Sequence, residues 1–102
     1  MEENLRYKII EALKQVHDPE IPVNIYDLGL IYEIEIDQDN NVKILMTFTS
    51  PSCPASEHIF NAVESNIKAI PEVDQVQIDI TFSPPYSTEL MSESAKLELG
   101  FL

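Results

Sequence analysis

Cys53 is the only thiol in the chain. It lies in Ser50-Pro51-Ser52-Cys53-Pro54, between a stretch with strand-like alternation and one with helical spacing. Proline is favoured at the first helical position, which places Cys53 at the N-cap of the helix that follows. Unpaired backbone N–H groups and the positive end of the helix dipole both favour a thiolate there. Such a thiolate can ligate a metal or act as a nucleophile. The plainer reading is a small hydrophobe in a core. The strand-to-helix loop, with prolines on both sides, weighs toward a reactive or metal-binding role, because loops tend to carry function.

A second group is His17-Asp18-Pro19-Glu20, an imidazole and two carboxylates in a turn. Taken alone, it reads as a helix stop followed by a solvated turn. His58 follows Cys53 by five residues, about 140° around a helix, so it points away and reads as a solvent-exposed helix histidine. An enzyme would use Cys53 as nucleophile, His17 or His58 as base and Asp18 to orient it. The spacing does not bring His17 to Cys53, and no oxyanion donor can be named. A third alternative is an interaction domain with an inert thiol. The sequence has no GxGxxG, P-loop, HExxH, CxxC or GxSxG pattern, so nucleotide-binding and zinc-protease readings lose their motifs.

The elements that must position these groups follow from periodicity. Leu5, Ile9, Leu13 and Val16 recur at helical spacing, predicting a helix from about Asn4 to Val16 that ends by His17 or Asp18, ahead of Pro19. An irregular stretch runs to Gly29, one of two glycines, where the chain needs positive φ or a close approach. In Ile31–Ile36, Tyr32, Ile34 and Ile36 share one face, opposite Glu33 and Glu35. After a turn at residues 37–41, Val42, Ile44, Met46 and Phe48 alternate with Lys43, Leu45, Thr47 and Thr49, which predicts a hairpin. Ile59, Phe60, Val63, Ile67 and Ile70 give the next helix a wide apolar face that ends at Pro71. A third strand carries Val76, Ile78, Ile80 and Phe82. Ser83-Pro84-Pro85-Tyr86 then leads to a short helix from about Ser92 to Leu99, with Gly100 as its C-terminal cap. The order α-β-β-α-β-α predicts an α+β fold, a two-layer sandwich with helices packed on one face of a small sheet.

The chain has 102 residues, which fits one domain spanning 1–102, and its 44% hydrophobic residues supply one modest core. Eighteen acidic residues against six basic ones give a formal charge of −12, shared equally between residues 1–51 and 52–102. Phosphate binding draws on Lys and Arg, so this charge argues against nucleic acid as a partner. It argues equally against an anionic membrane. The acidic N-terminus lacks the basic start and apolar core of a signal peptide. The longest run without a polar side chain, Leu28 to Tyr32, is far short of the roughly 20 residues of a membrane span. A lone cysteine leaves no disulfide framework, so the expected location is cytoplasmic.

Two segments carry a resemblance. Asp18-Pro19-Glu20-Ile21-Pro22-Val23-Asn24-Ile25-Tyr26-Asp27-Leu28-Gly29-Leu30-Ile31-Tyr32 and Thr47-Phe48-Thr49-Ser50-Pro51-Ser52-Cys53-Pro54 resemble the two signatures of the metal–sulfur cluster assembly family. The Ser83-Pro84-Pro85-Tyr86 exit and the tail from Met91 to Phe101 are similar to its SufT-like branch. Phe82 and Tyr86 stand where relatives often carry tryptophan. The phenylacetate-degradation relatives continue into a cysteine-bearing C-terminal segment absent here, which demotes that subgroup.

The resemblance implies a carrier or adaptor, not an enzyme, that helps Fe–S proteins mature. It implies that Asp18, Thr49 and Cys53 meet in one pocket. Cys53 would be the metal or cluster contact, Asp18 its hydrogen-bonding or metal-facing neighbour, and Thr49 would order the loop. Glu20, in the same Asp-Pro-Glu turn, joins the candidate cofactor contacts. The implied partners are Fe–S assembly proteins and apo Fe–S targets. Fe–S clusters usually need four cysteine ligands, and one thiol cannot hold one alone. The cargo, an Fe–S cluster or iron, is therefore expected to be held transiently or shared between subunits, and a homodimer is the expected form of a carrier with one ligand per chain.

Overall fold

Leu5, Ile9 and Leu13 recur every four residues and form the buried stripe of α1 (Glu2–Leu13). In the computed structural model, which describes residues 2–17, 21–48 and 56–101, this helix packs against α3 (Ser56–Lys68). Ile59, Val63 and Ile67 of α3 are likewise buried. Between the two helices in sequence come a four-residue helix, α2 (Ile25–Leu28), and a hairpin of β1 (Ile31–Ile36) and β2 (Val42–Met46). β3 (Val76–Ile80), a 3-10 turn (Thr88–Leu90) and α4 (Glu93–Leu99) follow α3.

The three strands form one sheet in the order β1-β2-β3. β1 pairs antiparallel to β2, as a short hairpin allows, whereas β3 pairs parallel to it. A parallel return needs a crossover, and α3 supplies it. Val42, Ile44 and Met46 are buried at the centre of the sheet, with Ile34, Ile36, Val76 and Ile78 packed against the same apolar cluster. Truncating a fully buried residue such as Ile9 or Ile44 to alanine costs about 2–5 kcal/mol. The fold is the expected small α+β sheet with packed helices.

Several details depart from the periodic reading. α1 ends at Leu13, and beyond it Gln15 and Val16 donate to Ala12 and Leu13 in the tighter i→i−3 pattern. Val16 stays buried without being helical, because its carbonyl accepts from the Ile25 amide at 2.9 Å. The ladder of β2 stops at Met46 and that of β3 at Ile80, short of Phe48 and Phe82. Ile80, expected in the core, is 36% exposed at the sheet's end. The turn between β1 and β2 is built around Asp37, whose Oδ1 accepts from the Asp39 and Asn41 amides at 2.9 Å each. Asn40 there adopts φ 62°, which asparagine tolerates better than most residues.

β1 also carries a bulge. Ile31 faces Met46 while Glu33 faces Leu45, leaving Tyr32 as the extra residue. Ile31, not Tyr32, therefore packs against the core. Tyr32 instead lines a cleft with Leu45 and Pro84, and its hydroxyl donates to the Pro84 carbonyl at 2.9 Å.

Candidate functional site

The first signature segment contains α2, and the second begins at Thr47, which is bonded to Leu30 just beyond that helix. On one side His17 and Asn24 form an isolated antiparallel bridge, and the Ile25 amide donates to Val16. These contacts bring together the described chain on either side of residues 18–20. On the other side the amide of Thr47 donates to the Leu30 carbonyl at 2.8 Å. Thr47 is fully buried and Phe48 nearly so, so the described chain is anchored up to the residue before the Thr49–Cys53 segment.

α2 is defined by its caps. The Asn24 side chain accepts from the Asp27 amide at 2.9 Å and donates to the Asp27 carboxylate at 2.8 Å. Asparagine at an N-cap satisfies an amide the helix leaves unpaired. Gly29 ends the helix at φ 86°. A Cβ on Gly29 would collide with the backbone of Leu90, so this glycine serves both a left-handed cap and a close approach.

A C-terminal strap, residues 83–92, holds this region from outside. The Tyr86 hydroxyl donates to the Leu28 carbonyl at 2.6 Å, and the Ser92 amide donates to the Asp27 carbonyl at 2.8 Å. Burial is the main reason the Tyr86 phenol is held above its ordinary pKa, with repulsion from Tyr32 adding to it. Two clefts flank the strap. One of about 380 Å³ is apolar and lined by Ile21, Pro22, Tyr86, Met91, Leu99 and Phe101. The other, of about 610 Å³, lies between the strap, α2 and the outer side of β1 and β2.

Asp18, Glu20, Thr49 and Cys53, and with them the proposed N-cap at Cys53, lie outside the described residues. His17 is exposed beside the bridge to Asn24, and His58 is exposed on α3. Among the described residues no group of three His, Cys, Asp or Glu side chains could hold a metal ion. No helix among them is long and apolar enough to cross a membrane. Sequence reasoning missed α2 and the role of Tyr86. The first had a signal in Asn24-Ile25-Tyr26-Asp27, a cap residue followed three positions later by a carboxylate. The second had none, because the bond spans 58 residues.

Comparison with known proteins adds to this geometry. An Fe-S protein maturation auxiliary factor from Porphyromonas gingivalis is 48% identical over 94 residues, covering 92% of this chain and 90% of that protein. The Fe-S protein maturation auxiliary factor SufT of Staphylococcus aureus is 36% identical, covering 83% of this chain and 97% of its own. The crystal structure of a domain of unknown function from Bacillus anthracis superposes with a TM-score of 0.90 at 38% identity, covering 98% of this chain and 95% of that one. The family model described as iron-sulfur cluster assembly protein matches residues 6–93, and with it both signature segments and the strap. The chain belongs to the iron–sulfur cluster assembly protein family.

Proposed function

We propose that this protein is a maturation factor for Fe–S proteins, a carrier or adaptor in which Cys53 makes a transient thiolate contact to iron or to a cluster. The observation that carries this reading is the position of α2. The hydrogen bonds Ile25 to Val16 and Thr47 to Leu30 root the two signature loops at either end of this single turn, which rises only about 6 Å. Loops so rooted are within reach of each other, which favours a shared pocket for Asp18, Thr49 and Cys53, with Glu20 at its edge. The relatives' names, maturation auxiliary factors, support a non-enzymatic role.

In this reading the Asp18 carboxylate faces the metal or hydrogen-bonds its ligand, and Thr49 orders the Cys53 loop. One thiol per chain suits hand-off better than storage, because the remaining positions on iron are left for a second subunit or for the receiving protein. The partners are Fe–S assembly proteins and apo targets, and the reducing cytoplasm is where a free thiol of this kind works.

Anaerobic reconstitution with iron and sulfide tests the reading. Wild type should acquire sulfide-to-iron absorption and bound iron, and Cys53→Ser should acquire neither while keeping its fold. Equal iron uptake by the two proteins would remove Cys53 from the mechanism.

A further inference from the structure

The outer face of the sheet combines an apolar centre with an acidic rim. Glu33, Leu45 and Asp79 form one cross-strand row, and Glu35, Lys43 and Gln77 the next. The bulge adds Tyr32 to this side, where it, Leu45, Pro84 and Leu90 line the cleft of about 610 Å³. Across the two rows three carboxylates face one ammonium, 1 − 3 = −2. Lys43 lies 3.6 Å from Asp79, Glu33 and Glu35 are exposed, and Arg6 reaches the backbone between them, donating to the Ile34 carbonyl at 3.0 Å. Leu90 is 44% exposed and Phe82, beside the strap, 42%. An apolar centre ringed by polar groups is the anatomy of a protein interface.

Charge decides the occupant. A second copy would bring another −12 against this face, and an anionic membrane or a nucleic acid would also meet like charge. We propose that the outer sheet face docks a basic segment of a partner protein, seating one apolar side chain between Tyr32, Leu45 and Leu90 while Lys or Arg on either side face Glu33 and Glu35. This rests on the reading that the protein works on other proteins, and it adds where and by what chemistry one of them is held. The remaining wall of the cleft is α2, with Tyr26, Asp27 and Gly29, while the docking contacts fall on Tyr32, Glu33, Glu35, Leu45 and Leu90, none of them a candidate cargo contact.

The probe is a synthetic peptide with a central Leu-Trp pair flanked by Lys and Arg, compared with the same peptide carrying Glu at every basic position. Titrated into the full chain and followed by amide chemical shifts, the basic peptide should move Tyr32, Glu33 and Leu45 together, with affinity that falls as salt rises. The acidic peptide should move none of them. Glu33→Lys with Glu35→Lys should weaken the basic peptide roughly tenfold or more, and Leu45→Ser should do so without the charge change. Equal binding of both peptides, shifts confined to other surfaces, or affinity unaffected by charge reversal would overturn the proposal. Cys53→Ser separates this surface from the metal contact. Undiminished peptide binding in that variant supports a distinct docking face, and lost binding counts against one.

Discussion

The hydroxyl of Tyr86 donates to the carbonyl of Leu28 at 2.6 Å, joining the C-terminal strap to the end of the one-turn helix between the two signature loops. Gly29 and Leu30 follow Leu28 directly, and Leu30 holds the end of β2 through Thr47. One side chain of the strap thus steadies the segment that is bonded to both Val16 and Thr47.

Tyr86→Phe should cost about 0.5–1.5 kcal/mol, the usual net worth of such a hydrogen bond, read as a lower urea midpoint with an unchanged slope. The pH dependence has a defined sign. The folded-state pKa of Tyr86 is raised, so its contribution is complete below the unfolded value near 10 and is lost as pH rises through the higher folded value. The difference between wild type and Tyr86→Phe should therefore shrink only in strongly alkaline solution. A gap that closed between pH 6 and 8 would assign the effect to another group.

Gly29→Ala and Gly100→Ala should differ although both glycines have φ near 85°. At Gly100 a Cβ meets open space, so alanine bears only the left-handed backbone cost of about 1–2 kcal/mol. At Gly29 the Leu90 backbone must also move, and the loss should exceed that of Gly100→Ala by at least about 1 kcal/mol. Parallel urea titrations check the order, and equal losses would mean the strap yields freely.

Asp37 governs part of the acid limb of stability. The Asn41 amide, then the Asn41 side chain, hold its carboxyl below its usual pKa. Because the folded value is depressed, the stabilisation is present above the unfolded value near 3.9 and is lost as pH falls through the folded one. Asp37→Ala should lower stability at neutral pH and flatten the decline in acid, as followed by thermal melts between pH 2 and 7.

Asp18→Asn tests the proposed pocket by opposing effects. A nearby carboxylate disfavours the thiolate, so its loss should make the Cys53 thiol react faster with iodoacetamide near neutral pH. The same change should weaken iron capture, since the carboxylate faces the metal in the proposed pocket. Unchanged alkylation and unchanged capture together would separate Asp18 from Cys53.

How far the sequence could be read depends on what repeats within it. The stripe Ile59/Val63/Ile67 marks α3 because a long amphipathic helix repeats its signal, and Ser92 with Gly100 bounds α4 because caps have local chemistry. A single turn such as α2 has no period to detect. Alternation places Tyr32 on the face of Ile34 and Ile36 because it assumes an unbroken ladder, and one bulged residue reverses the side on which it points. Pro19 alone would let α1 run to His17 or Asp18, whereas the structure ends it at Leu13, where a tertiary bond from Ile25 to Val16 takes over from the helix. Of the candidate site, the scaffold is described on both sides, while Asp18, Glu20, Thr49 and Cys53 lie outside the described residues and rest on the signature motifs.

The strap crosses α2 at Leu28, at Gly29 and at Asp27. A four-residue helix is far below the length that persists alone in water, so α2 is held by the strap on one side and by the burial of Ile25 and Leu28 on the other. In deuterium exchange the amides of Leu28, Gly29 and Ser92 should then share one opening free energy, lower than that of Ile44 in the central strand. This opening is a sub-global unfolding event with its own equilibrium. Its equilibrium sets how often the bonds from α2 and Leu30 to Val16 and Thr47 lose their outer support while the sheet stays intact.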